Sequence, residues 1–217
     1  MWHEELTEKS WNVLKDVRKL ADFIVIGGWG VYFWVKKLKS RDIDICIDQN
    51  SFYKLQNELQ RQNILVKKNP RLKKMEAVVA GVDVDIYTPF MSNLILPCSA
   101  FHEHRWFTDI EGFDVALPEP LLLLKAQVAE ERWTSEKGMK DRIDIISLLM
   151  YSDWKPTNLL NIIKLYQEAD PLIRSVQKII ERSRAEYRYL GLKYETDGVR
   201  LSRSFRNQMA QVTAPRS

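Results

Sequence analysis

The sequence is short of the residues that punctuate a chain. Of its 217 residues only eight are Gly and eight are Pro, which excludes collagen-like and Pro/Gly-rich low-complexity chains. Two cysteines, Cys46 and Cys98, are too few for a disulfide framework and lack the spacing of a zinc knuckle. Cys46 lies in a strand-like run, and a reducing cytosol fits this usage best. No run approaches the roughly 18 apolar residues of a membrane span, and the start MWHEELTEKS has neither the basic patch nor the apolar stretch of a secretory leader. The expected location is therefore cytoplasmic. A strong charge of one sign is also missing, since 33 basic and 29 acidic side chains leave a net charge of +4. That surplus belongs to the C-terminal part. The last forty residues carry nine basic and four acidic groups, which suits a solvated basic helix and tail, or an anchor for a polyanion such as RNA.

What is present is enough apolar material for a core. Forty-five per cent of the residues are apolar and 29% are charged, the balance of a soluble globular protein. Residues 4–20 place Leu6, Trp11, Val13, Leu14, Val17 and Leu20 at mainly three- and four-residue spacings, which predicts an amphipathic helix. Phe23-Ile24-Val25-Ile26 then reads as a buried strand ended by Gly27-Gly28. Residues 29–39 read as a helix with Lys36, Lys37 and Lys39 in its last turn, where cations suit the helix dipole. Residues 42–48, Asp-Ile-Asp-Ile-Cys-Ile-Asp, alternate strictly and predict a strand with one charged face. Residues 51–63 look helical. A basic link containing Lys67, Lys68, Arg71, Lys73 and Lys74 leads to two apolar or alternating runs, 75–80 and 82–87, separated by Gly81 as in a hairpin. Two short strands are expected at 106–110 and 113–117. Beyond Pro118 the pattern is helical at 121–132, 139–151, 158–169 and 172–189, with Pro156 and Pro171 near helix starts. Residues 191–217 show little periodicity and read as a mobile basic tail.

The fold class expected is thus α+β, a mixed sheet flanked by helices and followed by a helical bundle. Residues 1–118 would form the first domain and 119–190 the second.

Chemistry is concentrated in two places. Asp42 and Asp44 project to one face of their strand, and Asp83 and Asp85 do the same on another. If those strands are neighbours, three or more carboxylates converge into a hard-oxygen site suited to Mg²⁺. Alone, an Asp-x-Asp describes a solvated sheet face equally well. Upstream, three of the eight glycines, Gly27, Gly28 and Gly30, crowd into four positions. A strand that ends in Gly-Gly and enters a helix offers close backbone approach and N–H groups at the positive helix end, a cradle for phosphates. Phosphate cradle and metal carboxylates together imply a nucleotide.

On these residues the sequence resembles the nucleotidyltransferase superfamily related to DNA polymerase β. Ile26-Gly27-Gly28, then Asp42-Ile43-Asp44-Ile45 after a gap of thirteen residues, then Val84-Asp85-Ile86 follow its pattern of a Gly-Gly turn, an Asp-x-Asp strand and a third acid on a later strand. Pro118-Glu119-Pro120-Leu121-Leu122-Leu123-Leu124-Lys125 and Lys140-Asp141-Arg142-Ile143-Asp144-Ile145 are similar to the helical segment of small bacterial and archaeal members, among them antibiotic and toxin-like nucleotidyltransferases. The resemblance covers roughly residues 20–150. Many members carry Gly-Ser where this chain has Gly27-Gly28, so backbone amides must serve without a hydroxyl.

The resemblance implies transfer of a nucleoside monophosphate from a nucleoside triphosphate, ATP by default, to an acceptor hydroxyl with release of pyrophosphate. It also implies a pair of Mg²⁺ ions. Asp42 and Asp44 would hold the ion that bridges the phosphates, and Asp85 would serve a second ion and deprotonate the acceptor, with Asp83 as its alternative. Gly27 and Gly28 would cradle the triphosphate, with Arg41 in support from the opposite face of an ideal strand. Lys140 would neutralise the leaving pyrophosphate, oriented by Asp141 and Asp144; as an i,i+4 pair on a surface helix, Lys140 and Asp144 would instead contribute only tenths of a kcal/mol. The acceptor, whether small molecule, RNA or protein, is not encoded in these motifs, and self-association is compatible with the aromatic content. The rival functions are a catalytically silent nucleotide- or partner-binding module of antitoxin type, which loss of one acid would have favoured, and an RNA-binding protein using the basic C-terminal segment. His102-Glu103-His104 lacks a third ligand at zinc-site spacing and reads as incidental.

Overall fold

A computed structural model describes residues 4–213. The chain forms two compact units, Met1–Leu117 and Pro118–Ser217. No described helix is long and apolar enough to cross a membrane.

The first unit opens with α1 (Glu4–Leu20), whose acidic first turn and basic last turn suit its dipole. Next come β1 (Ile24–Val25), α2 (Gly27–Val35), β2 (Ile43–Cys46), α3 (Gln49–Arg61), β3 (Lys67–Asn69), β4 (Lys74–Val79), β5 (Val82–Tyr87), α4 (Cys98–Glu103), β6 (Phe107–Ile110) and β7 (Phe113–Ala116). The seven strands form one sheet in the order β3-β4-β5-β2-β1-β7-β6. It is mixed: β1 runs parallel to β7 and β2 parallel to β5, while the other neighbours are antiparallel.

Two tight turns set much of the register. Ala80-Gly81 and Glu111-Gly112 all have positive φ, the backbone of a type I′ hairpin turn. The first pairs Val79 with Val82 and so carries Glu76 to Asp85. Strand alternation then sorts the faces. Ile43, Ile45, Val84, Ile86 and Val115 belong to a single core with Val13, Leu14 and Val17 of α1, Phe33 of α2 and Leu55 and Leu59 of α3. The acids between these residues face the other way.

Helix α2 stops four residues short of the expected end. Lys36 adopts the left-handed conformation at φ 50° and returns its N–H to Tyr32 O at 2.8 Å. Its ammonium pairs with Glu111 at 2.8 Å. The lysines expected in the last turn therefore lie beyond it. At the next helix, Asp48 supplies the cap, accepting from the N–H groups of Asn50 and Ser51.

The second unit is helical: α5 (Pro118–Ala129), α6 (Glu136–Tyr151), α7 (Pro156–Leu165), a 3₁₀ turn at Gln167–Ala169, α8 (Asp170–Arg182), α9 (Arg184–Tyr189), a π-turn at Tyr194–Gly198 and α10 (Val199–Thr213). The helix expected over 172–189 is two, parted at Ser183, where ψ turns to 53°. The tail expected to lack regular structure is instead α10. Leu201, Phe205 and Met209 are buried, a four-residue repeat that the intervening Arg and Ser residues disguise. Residues 214–217 of that segment, like 1–3, lie outside the described residues.

Candidate active site

Three neighbouring strands build the site on the polar face of the sheet. The parallel register of β2 and β5 sets Asp44 directly across from Asp85, and the antiparallel register of β5 and β4 sets Glu76 across from Asp85 on the other side. Asp44, Asp85 and Glu76 thus form a row of carboxylates over three adjacent strands. Asp83 is exposed at the outer end of β5 and pairs with Val78, so Asp85 and not Asp83 is the residue opposite Asp44. Asp42 lies just before β2.

The row meets the Gly-Gly turn at Asp44. Ile26 donates its N–H to Asp44 O at 3.0 Å, and Gly27 opens α2 with φ +61°; a Cβ there would fall 2.1 Å from Asp44 Oδ2. Only glycine fits, both for its left-handed φ and for that contact. The result is a carboxylate seated at the amino end of a helix whose first N–H groups have no partner within the helix. Gly28 and Gly30 are buried inside α2.

Two cations of the chain stand among the acids. Arg41 Nε lies 3.2 Å from Asp42 Oδ1. Both residues precede the strand, so the alternation that would have sent Arg41 to the far face does not apply to them. Lys74 is not part of a basic link but opens β4, only 9% exposed, with Nζ 2.5 Å from Asp85 Oδ2 and 3.1 Å from Glu76 Oε1. Burial works against its charge, yet the bonds to Asp85 and Glu76 prevail and raise its pKa. Asp85 is pushed up to about 6 by burial and by the charge of Asp44, with Lys74 holding it back.

The donor set is carboxylate oxygen throughout, which matches a hard divalent cation. Among the described residues, however, no three acidic, His or Cys side chains gather closely enough to ligate one ion. Asp85 already spends an oxygen on the buried Lys74, and Asp42 spends one on the more exposed Arg41. His102 and His104 form no metal group and rest against Phe107 and Trp106.

Lys140, Asp141 and Asp144 belong to the second unit. On α6 they are buried rather than on a surface, and they converge with Lys125 of α5. Lys125 Nζ lies 2.9 Å from Asp141 and 2.7 Å from Asp144, Lys140 Nζ lies 2.9 Å from Asp144, and Arg132 also pairs with Asp141. For Lys125, burial is outweighed by the two aspartates and the pKa rises. For Lys140, burial prevails and the pKa falls, Asp144 recovering only part of it. Asp141 is held below the usual carboxylate range because Lys125 and Arg132 more than offset its burial.

No protein-family model matches the sequence, and no curated protein does so at a significant level. Among solved structures, a candidate nucleotidyltransferase from H. pylori superposes with a TM-score of 0.53 at 11% identity, covering 97% of each chain. The chain has the nucleotidyltransferase fold. An antigenic nucleotidyltransferase-like protein from Paracoccidioides brasiliensis is also similar, at 18% identity with 79% of this chain and 93% of that one covered and a TM-score of 0.44. In the nucleotidyltransferase fold of this chain, Lys74 and Glu76 beside Asp85, and Lys125 between Asp141 and Asp144, were not anticipated from the sequence. Lys125 has a visible signal, an isolated lysine in the apolar run Leu121–Ala126; Lys74 and Glu76 were reachable by counting back from the Ala80-Gly81 turn.

Proposed function

We propose that this protein transfers a nucleoside monophosphate from a nucleoside triphosphate to an acceptor hydroxyl, with release of pyrophosphate and dependence on a divalent cation. The reading is supported chiefly by one relationship: Asp44 stands opposite Asp85 and also packs on Gly27 at the start of α2, so acids and phosphate cradle share one residue.

In this mechanism the acceptor oxygen attacks the α-phosphorus in line, the new O–P bond forms, and the bond to the β-phosphate oxygen breaks. Asp42 and Asp44 would hold a Mg²⁺ ion, which when bound offsets the charge of the phosphates. Asp85, with its raised pKa, is suited to take the proton from the acceptor hydroxyl. The N–H groups at the start of α2, with Gly27 leaving room for close approach, hold phosphate oxygens and orient the triphosphate. Arg41, held beside Asp42, adds positive charge at the edge of the site.

The test is to incubate the protein and Mg²⁺ with each α-labelled nucleoside triphosphate in the presence of cellular RNA, protein and small-molecule pools. Label should move into one pool, which names the acceptor class. No transfer, from a folded protein whose melting temperature no nucleotide shifts, would refute the reading.

A further inference from the structure

The row of acids has three carboxylates over three strands, and one of its gaps is filled. Lys74 reaches from β4 to bond Asp85 and Glu76 together, on the same side of the sheet as Asp44. It is nearly inaccessible to water, so it is not a surface side chain that swings aside at little cost. An ammonium and a divalent cation compete for the same carboxylate lone pairs, and two cations held a few ångströms apart in a poorly solvated site repel each other. Arg41 beside Asp42 differs in its access to water, its side chain 40% exposed against 11% for Lys74.

We infer that Lys74 takes the place of a second metal ion, so that the site binds one divalent cation, at Asp42 and Asp44, beside a fixed ammonium at Asp85. The inference rests on the nucleotidyl-transfer reading of the site and departs from the two-ion expectation drawn from sequence resemblance. In a two-ion site the metals lie about 3.5–4 Å apart and clamp the attacking and leaving oxygens. Here the chain itself supplies the positive charge near the attacking oxygen, and Lys74 is a positioning residue that keeps Asp85 aimed and charged. Glu76 has a role in this arrangement that the reaction alone does not give it: with Asp85 it anchors the ammonium from two sides.

Mn²⁺ is the probe, because paramagnetic resonance counts the ions and separates an isolated ion from a spin-coupled pair. The full chain is titrated with Mn²⁺ in the presence of a non-hydrolysable nucleoside triphosphate, against a nucleotide-only blank. The wild type should bind one Mn²⁺ with an uncoupled six-line spectrum. Lys74→Met should bind two and show coupling, Lys74→Arg should keep one, and Lys74→Met with Asp85→Asn should return to one. Two coupled ions in the wild type would overturn the inference, as would a folded Lys74→Met protein that still binds one; the wild-type count decides even where that variant fails to fold. If the wild type binds no Mn²⁺ beyond the blank, the metal-dependent reading of the carboxylates falls with it, a result distinct from finding two.

Discussion

Asp44 faces Asp85 across the β2–β5 ladder in direct register, and its charge, after burial, is the largest cause that brings the Asp85 carboxyl up to about 6. Two acids so placed repel each other, and a sheet that holds them gives up stability for the sake of the site.

Replacing one of the pair relieves that cost. Asp44→Asn should abolish nucleotidyl transfer while leaving the melting temperature equal to or above that of the wild type, measured by thermal denaturation near pH 7.5. A variant that unfolds would mean that Asp44 is structural.

The same pair sets a pH dependence. The folded pKa of Asp85, about 6, lies above the ordinary aspartate value of about 3.9. Between these two values the unfolded chain has lost the proton and the native one keeps it, so this group's contribution to stability is full below about pH 4 and falls until about pH 6. Above that it stays lost. Asp85→Asn removes the titration, so its stability relative to wild type should climb between pH 4 and 6 and level off beyond. A difference that is flat with pH, read from denaturant melts at half-unit steps, would contradict the assignment.

At Gly27 the backbone and the site coincide. Gly27→Ala places a side chain at φ +61° and against the Asp44 carboxylate, so a loss of about 1–3 kcal/mol is expected from the backbone conformation alone. Transfer should fall further than stability does, because the clash displaces Asp44. Urea denaturation and the label-transfer assay on the same preparation separate the two effects.

In the helical unit, Lys125→Met would leave Asp141 and Asp144 to Arg132 and Lys140 alone. Removing one partner from a buried charge cluster costs about 3–5 kcal/mol, and Lys125 bridges both aspartates. A urea midpoint within experimental error of wild type would show that the cluster rearranges around the loss.

Much of this arrangement can be followed from residue order, and the exceptions have physical causes. The Asp42–Ile47 alternation and the Gly-Gly turn are local signals, and local signals suffice for a strand and a helix start. The end of α2 is different, because Lys36 takes a left-handed conformation without the glycine or asparagine that would announce it. Helix α10 was obscured because its apolar repeat of Leu201, Phe205 and Met209 is narrow and its other faces are polar. Lys74 is hidden for another reason: as one of five basic residues in a short stretch it reads as a link, and only its ion pairs with Asp85 and Glu76 set it among the acids.

The loop between cradle and acids is closed at its root. Ile26 bonds to Asp44 and Gly27 packs on the same residue, so the chain from 27 to 44 leaves and returns to one point. For protein engineering, residues 37–38 lie in irregular chain between the α2 exit and the point where Lys39 bonds Glu8 of α1 and Ser40 is buried. Each doubling of such a loop adds only about 0.6 kcal/mol of closure entropy, so a short insertion there should be carried as cargo, whereas a single added residue between Ile26 and Gly27 would turn the helix end away from the acids.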